Sequence, residues 1–483
     1  MKGKTGKSLL LAFYGDDFTG STDVMESLAR AGLRTVLFLR PPTPKQLAQF
    51  PGLRAFGIAG GSRMMSPVQM QHELPTAFRA LKASGAAFIH YKICSTFDSS
   101  PTIGSIGKAI ELGRRVFGKV ATPLVVGVPV LGRYVVFGNL FARSGLDSEP
   151  VRLDHHPTMS RHPITPMDQA DIRLHLARQT RLPVELIDVL KLDQACAATE
   201  AGESGRGFPV LTPGRATATA KSSAPIILFD TLREAHSPVI GHLIASQRRP
   251  GGQLFCAGSS GLEYALIAHW RIAGRIARAE TKAQRTTTTR DQIITVSGSC
   301  SPVTDRQIRR AVNGGYVEVA CDTGLLANPK GMKSAAAEAL TRARSALDAG
   351  QNVIFHTARG PLDPRRADFE RAAKRGPGRA RAEKFANAGE TLGKGLAFIL
   401  ETALRKTGAR RAIVCGGDSS TTVARALGIE ALEYIAPVAP GGPLCRVHAP
   451  GRIAHGCEVV FKGGQVGRDS FFCELIDKNT NPK

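Results

Sequence analysis

Two adjacent carboxylates, Asp16 and Asp17, stand where an apolar run ends in glycine and a hydroxyl-rich segment begins: Gly15-Asp16-Asp17-Phe18-Thr19-Gly20-Ser21-Thr22-Asp23. Such a pair can hold Mg2+ through water, or one member can accept a proton from a substrate hydroxyl. The same residues also suit a helix start, with Asp, Ser and Thr as caps and Gly as the turn. A second element, Gly60-Gly61-Ser62-Arg63, follows the apolar run Ala55 to Ala59. An arginine on a glycine-rich loop can grip a carboxylate through two parallel hydrogen bonds, although in isolation it reads as a surface residue. A third element runs from Tyr91 to Ser100, where Lys92 supplies a point charge and Ser95, Thr96 and Asp98 can bond polyol hydroxyls. Three polar loops at three strand ends predict one shared pocket.

The second half of the chain carries glycine and hydroxyl residues in place of carboxylates. Ser297-Gly298-Ser299-Cys300-Ser301-Pro302 joins an apolar run to a helix expected near Thr304, and Cys415-Gly416-Gly417-Asp418-Ser419-Ser420 repeats the arrangement before an expected helix Val423 to Leu427. Free backbone N–H groups and the positive end of a helix suit phosphate oxygens. Lys462-Gly463-Gly464 is a further such turn, and its lysine could neutralise a transferring phosphoryl group. Pro440-Gly441-Gly442-Pro443 reads as a turn near the same edge, and no Walker A sequence occurs. His155, His156 and His162 lie among prolines without helical spacing, which favours a structural or substrate-proximal loop over a metal site.

The elements that must position these residues alternate in type. Apolar runs at Leu9 to Tyr14, Thr35 to Leu39, Ala86 to Tyr91, Pro123 to Val130 and Pro225 to Phe229 are separated by amphipathic or polar stretches, one of them a helix expected over Asp23 to Ala31. This is the rhythm of a parallel α/β domain, and open α/β sheets place ligands at strand ends. It restarts at Ile293 to Val296, Tyr316 to Ala320, Asn352 to His356, Ala412 to Cys415 and Glu458 to Phe461. Between the two lies a polar, Thr-rich stretch. The expected organisation is therefore two α/β domains with largely parallel sheets: a substrate domain over 1–275, a linker over 276–291 and a nucleotide domain over 292–483. A length of 483 residues supports two cores, and the active site is expected in the cleft between them.

Bulk properties narrow the class. No stretch approaches the roughly 20 apolar residues of a membrane span, and nine cysteines are scattered singly without a CxxC pair. A cytoplasmic enzyme is expected, without a disulfide framework or zinc site. The net charge of +24 could signal nucleic acid, a membrane surface or small anions. Its densest stretch, Arg359 to Lys384, holds Phe369 as its sole aromatic and interleaves Asp363, Asp368, Glu370 and Glu383, the pattern of a solvated helical insertion rather than a nucleic-acid reader.

Taken in order, these motifs resemble the four-carbon acid sugar kinase family over nearly the whole chain. The residues that carry the likeness are Asp16, Asp17, Thr19, Gly20 and Asp23, then Ser297 to Ser301 with Thr304 and Gln307, then Gly416 to Ser420 with Ala424 to Ile429, and finally Lys462, Gly464 and Gly467. The resemblance implies ATP-dependent phosphorylation of the terminal C4 hydroxyl of a 3-oxo-tetronate, threonate or erythronate. It places Asp17, Arg63, Lys92, Ser95, Thr96 and Phe97 on the substrate. Ser297, Ser299, Gly416, Gly417, Asp418, Ser419, Lys462 and Gly463 fall on ATP. Where many members read D-S-T-x-R-G, this chain reads Cys94-Ser95-Thr96-Phe97-Asp98-Ser99, similar to the 3-oxo-tetronate branch.

The expected mechanism is phosphoryl transfer with Asp17 as base or orienter of the acceptor hydroxyl and Asp16 as a partner of Mg2+-bound water, roles that the sequence leaves exchangeable. Arg63 and Lys92 would hold the substrate carboxylate. A homodimer is expected only from the general frequency of symmetric oligomers. Two other readings stay open: a kinase for a different hydroxy acid, and a nucleotide-regulated polyanion-binding protein.

Overall fold

The computed structural model describes residues 9–144, 148–162, 164–200, 224–277, 292–378, 381–439 and 441–477. The expected linker falls almost wholly outside the described residues, as do Pro163 and Pro440. The chain forms two compact units, Met1–Thr281 and Lys282–Lys483.

In the first unit the strands lie in the order Thr35–Phe38, Ala55–Ala59, Leu11–Gly15, Phe88–Lys92, Leu254–Gly258, Thr122–Val125, Ile226–Phe229 and Val184–Ile187. Each pair is parallel. Leu11–Gly15, Ala55–Ala59, Phe88–Lys92 and Leu254–Gly258 are buried at every position, as parallel strands covered on both faces must be. Register then fixes where the loops emerge: Gly15 lies beside Ala59 and Lys92, and Lys92 beside Gly258. Beneath them Tyr14 stacks on Tyr91, with centroids 6.0 Å apart, and Phe78 meets Tyr91 edge-on. A small antiparallel sheet, Arg133–Val136, Asn139–Arg143 and Pro150–Arg152, stands beside it.

The first helix spans Phe18–Arg30, starting five residues before the expected Asp23, because Asp17 caps it by accepting the Gly20 N–H. The helix Pro67–Ala83 begins with a reciprocal cap between Ser66 and Gln69 and with proline in its first turn.

In the second unit the order is Val317–Ala320, Val353–His356, Ile293–Ser297, Arg411–Cys415, Glu458–Lys462, Gly442–His448 and Ala431–Ala439. The first five are parallel, and the last two join antiparallel through a hairpin in which Gly441 takes φ +75°. Of the expected Pro440–Pro443 turn the described part, from Gly441, falls at this hairpin, and the strands flanking it were not expected. Again the register aligns strand ends, His356 with Ser297, Ser297 with Cys415, and Cys415 with Lys462. The helices Pro302–Asn313 and Gly417–Ala426 leave from two of those ends. Among the described residues no helix is long and apolar enough to cross a membrane.

Candidate active site

At the strand ends of the first unit, Asp16 and Asp17 share one arginine. Arg63 donates Nη2 to Asp16 Oδ1 at 2.7 Å and Nε to Asp16 Oδ2 at 3.2 Å, and Nη2 also reaches Asp17 Oδ1 at 2.8 Å. The Arg63 backbone N–H bonds the Asp16 carbonyl, so the loop Gly60 to Arg63 is fastened twice. Ser62 Oγ meets the Tyr91 hydroxyl at 3.0 Å, which ties the same loop to the aromatic layer below. Arg63, which in isolation reads as a surface residue and which the resemblance places on the substrate, thus clamps both carboxylates. Its Nη1 makes no hydrogen bond among the described residues.

The two aspartates differ in electrostatics. Asp16 is 2 % exposed, and burial pushes its carboxyl up to about 6 against the downward pull of Arg63. Burial works the same way on Asp17, but Arg63, the Thr19 hydroxyl, Lys92 and the Gly20 N–H outweigh it and lower its pKa. Thr19 Oγ1 donates to Asp17 Oδ2 at 2.6 Å and Gly20 N to Oδ1 at 3.0 Å. Asp17 is thus both helix cap and stably ionised carboxylate; capping and chemistry are carried by one residue.

Lys92, buried at the end of its strand, sits 3.7 Å from Asp23 Oδ2. Burial acts against its charge, but Asp23, Glu263, Asp17 and Asp16 raise its pKa and keep it protonated. Glu263 and its partner His90 had not been singled out from sequence. His90 Nε2 lies 2.9 Å from the Gly258 carbonyl, which fixes that nitrogen as a donor, while Nδ1 contacts Glu263 Oε1. Both side chains are fully buried. The sequence signal was a further strand, Leu254–Gly258, ending in Ser259-Ser260-Gly261 with Glu263 on the first helical turn.

The Cys94 to Ser99 loop closes over these groups. Gly104, at φ +64°, leaves no room for a Cβ, which would lie 2.6 Å from the Arg63 carbonyl. Thr96 Oγ1 donates to Asp98 Oδ1 at 2.6 Å and meets Cys94 Sγ at 2.8 Å. The Phe97 side chain is fully buried edge-on to His175, and its backbone takes φ +58°. Any contact it offers a substrate is through the main chain. His156 and His162 accept backbone N–H groups through Nδ1, from Thr158 and Met159 and from Thr165.

In the second unit three loops converge. A Cβ on Gly464 would lie 2.7 Å from Ser299 Oγ, and one on Gly416 3.4 Å from the Gly298 carbonyl carbon. Ser299 Oγ meets Thr304 Oγ1 at 3.0 Å, and Thr304 Oγ1 donates to the Gly464 carbonyl at 2.9 Å. Gly416 takes φ +112°, a conformation that favours glycine. No side chain caps the helix Gly417–Ala426, which leaves its first-turn N–H groups without a capping acceptor, the condition that suits an anion. Ser301, in contrast, caps Pro302–Asn313 through the Val303 N–H.

The ammonium of Lys462, which was expected to lie near the transferring phosphoryl group, is fully buried, donating to Thr304 Oγ1 at 3.2 Å and to the Gly463 carbonyl at 3.1 Å. Burial lowers its pKa. It ties the Ser299 and Gly463 loops together from beneath.

Comparison with known proteins agrees with this division. Residues 11–266 match a sugar-binding N-terminal domain and residues 294–472 a nucleotide-binding C-terminal domain. A 3-oxo-isoapionate kinase of Paraburkholderia graminis is 44 % identical over 96 % of this chain and 93 % of its own length. A 3-oxo-tetronate kinase of Methylobacterium radiotolerans is 29 % identical over 97 % of this chain and 99 % of its own. A solved chain from Salmonella typhimurium LT2 shares the fold, with TM-score 0.72, 23 % identity and coverage of 97 % of this chain and 99 % of that one. With both domain matches in order and a 44 % identical relative spanning nearly its full length, the chain belongs to the four-carbon acid sugar kinase family.

Proposed function

We propose that the protein transfers the γ-phosphoryl group of ATP to the terminal hydroxyl of a 3-oxo sugar acid. The observation that carries the reading is the Asp16, Asp17, Arg63 and Lys92 cluster at the aligned strand ends of the sugar-binding unit. There an ionised carboxylate, held in place by a fixed cation, stands beside a buried ammonium.

Asp17 is suited to orient the acceptor hydroxyl and take its proton, because it stays ionised and is aimed by Thr19, Gly20 and Arg63. Asp16 fixes Arg63 rather than acting alone. Arg63 Nη1 and Lys92 offer cationic contacts to the substrate carboxylate, with the Cys94 to Asp98 loop beside them. In the nucleotide-binding unit the uncapped start of Gly417–Ala426 and the Ser297 to Ser301 loop offer backbone N–H groups to phosphate oxygens.

When bound, ATP supplies the phosphoryl group and Mg2+ offsets the charge of its phosphates. Among the described residues no group of three or more His, Cys, Asp or Glu side chains is arranged to hold a metal. The fitting role for Mg2+ is a cation held by phosphates and water, with at most the Asp16 and Asp17 pair from the protein. The reading also requires the acceptor and donor loops to meet in line during turnover.

The 44 % identity to a 3-oxo-isoapionate kinase supports taking 3-oxo-isoapionate as the first substrate of this reading, with 3-oxo-tetronate next. A different hydroxy acid is the second reading, motivated by Asp98 standing bonded to Thr96 at the substrate loop. The polyanion reading loses its motive in the basic stretch, where Arg359 bonds Glu318 Oε2 at 3.0 Å, Arg365 bonds Asp363 Oδ1 at 2.9 Å and Arg371 pairs with Asp368. ADP release with Mg-ATP across a panel of 3-oxo, threonic and erythronic acids tests the proposal. Turnover confined to acids without the 3-oxo group would move the substrate class, and none on any member would remove the kinase reading.

A further inference from the structure

The sugar-binding unit carries a buried charged pair that the proposed reaction does not use. Glu263, in the first turn of the helix Gly261–Ile272, and His90, on the strand Phe88–Lys92, are each 0 % exposed. Apart from the contact with His90 Nδ1, neither oxygen of Glu263 has a hydrogen-bond partner among the described residues. Burying a carboxylate in this way is costly, and a buried polar group left without partners calls for a cause beyond packing. Two residues along the strand from His90, and so on the same face of it, stands Lys92.

We propose that Glu263, seated on His90, is a positioning residue for Lys92, setting where the ammonium stands to receive the substrate carboxylate; the inference rests on the kinase reading. Three observations carry it. The first is the state of the ammonium. Lys92 is 4 % exposed, yet none of its three N–H donors makes a hydrogen bond among the described residues, and its ion pair with Asp23 Oδ2 is 3.7 Å long. Surrounding charge, rather than hydrogen bonding, therefore sets its position and leaves its donors to a ligand.

The second is where that charge comes from. Burial works against the ammonium, and Asp23, Glu263, Asp17 and Asp16 oppose it in that order. Asp16 and Asp17 are gripped by Arg63, and Asp23 has the Ser260 hydroxyl. Glu263 has no such partner besides His90 among the described residues. Its charge also acts on Asp23, so it stands beside both members of the Lys92 pair.

The third is the competition it resolves. Lys92 Nζ and Asp17 Oδ1 lie 3.4 and 2.4 Å from the point that a Gly20 Cβ would occupy. The ammonium is close enough to be drawn onto Asp17, yet among the described residues the ion pair of Asp17 is with Arg63. Glu263 supplies a competing charge from another helix. His90 anchors it to the strand that carries Lys92: His90 Nε2 donates to the Gly258 carbonyl at 2.9 Å, which also accepts the Ile93 N–H at 2.8 Å.

The test is the affinity of the full-length protein for 3-oxo-isoapionate, or for 3-oxo-tetronate where the wild type prefers it, in wild type, Glu263→Gln, Lys92→Met and the double variant. It is read as KM with Mg-ATP and as Kd by calorimetry where turnover is lost. Glutamine keeps the shape of Glu263 and removes its charge. Glu263→Gln should weaken the sugar acid at least about 10-fold while the KM for ATP stays within about 2-fold, a split that a merely structural role would not produce. In the Lys92→Met background the same change should weaken it by less than about 2-fold, because Glu263 acts through the ammonium. Unchanged affinity in Glu263→Gln, or an equal loss in both backgrounds, would overturn the inference and leave the kinase reading standing. A wild type that phosphorylates neither acid would bring down both. His90→Gln, which retains a donor for the Gly258 carbonyl and deletes the Nδ1 contact, takes the place of Glu263→Gln in the cycle if that variant shows no folded circular dichroism spectrum. Loss of the fold in both would mark the pair as a core element and also overturn the inference.

Discussion

Arg63 grips Asp16 at 2.7 and 3.2 Å and holds Asp17 at 2.8 Å with the same Nη2. One fork therefore organises the acidic end of the sugar-binding unit, and its removal leaves a buried carboxylate without its cation. For Arg63→Ala we expect a stability loss on the order of 3 kcal/mol at pH 7 in urea unfolding, the scale for breaking a buried pair. The loss should shrink at pH 5, where Asp16 is protonated. Arg63→Lys keeps the charge but not the fork and should fall between the two. An Arg63→Ala protein as stable as wild type would show that Asp16 does not depend on its partner.

Asp16 sets opposite pH trends for stability and activity. Its folded pKa of about 6 stands above the ordinary 3.8, so the fold binds its proton more tightly than the unfolded chain does. Its contribution to stability is therefore fully present below about 3.8 and lost as pH rises through about 6. Asp230, raised to about 6 by burial, adds to the same trend. Activity should run the other way, with kcat/KM rising through about pH 6 as Asp16 ionises and secures Arg63. A pH profile of Asp16→Asn lacking that limb checks the assignment; a profile identical to wild type contradicts it.

Asp17→Asn should lower kcat by at least about 10²-fold, the lower range for a positioned acid-base group. Asparagine caps helices as well as aspartate, so the melting temperature should barely change. ADP affinity should stay within about 2-fold, because Asp17 lies in the other unit from the phosphate loops. The split between lost turnover and retained folding separates chemistry from capping.

Lys462→Met keeps most of the buried stem and deletes the ammonium that joins Thr304 to Gly463. Because burying that charge is itself costly, stability should move by no more than about 1 kcal/mol. ADP should bind about 10-fold more weakly as the Ser299 and Gly463 loops lose their common tie, with the sugar-acid KM unaltered. Unchanged ADP binding would make Lys462 a core residue only.

Much of this arrangement was legible because strand ends in parallel sheets are marked by composition. Gly15-Asp16-Asp17, Gly60 to Arg63 and the Gly416-Gly417 turn each follow a buried run, and register within each unit brings neighbouring strand ends level. What stayed hidden depended on direction and on distant partners. A lysine before Gly463-Gly464 reads identically whether its ammonium faces solvent or Thr304. The His90 and Glu263 contact joins the strand Phe88–Lys92 to the helix Gly261–Ile272, far apart in sequence, so only the tertiary fold brings the pair together. The basic run after Arg359 looked like a solvated helix, since the pairing of Arg359 with Glu318 is a tertiary fact. The antiparallel strands Ala431–Ala439 and Gly442–His448 stayed hidden because Pro437 and Pro443 interrupt them, and proline within an apolar run argues against a strand.

The central claim is phosphoryl transfer from ATP to a 3-oxo sugar acid. Phosphorus NMR of the purified protein incubated with Mg-ATP and 3-oxo-isoapionate tests it most directly. The account predicts ADP and a phosphomonoester in equal amounts, with the ester resonance split by a neighbouring CH2, and neither product in Asp17→Asn over the same interval. ATP that stays intact with this acid and with 3-oxo-tetronate, or ATP hydrolysed to free phosphate without an ester, would contradict it.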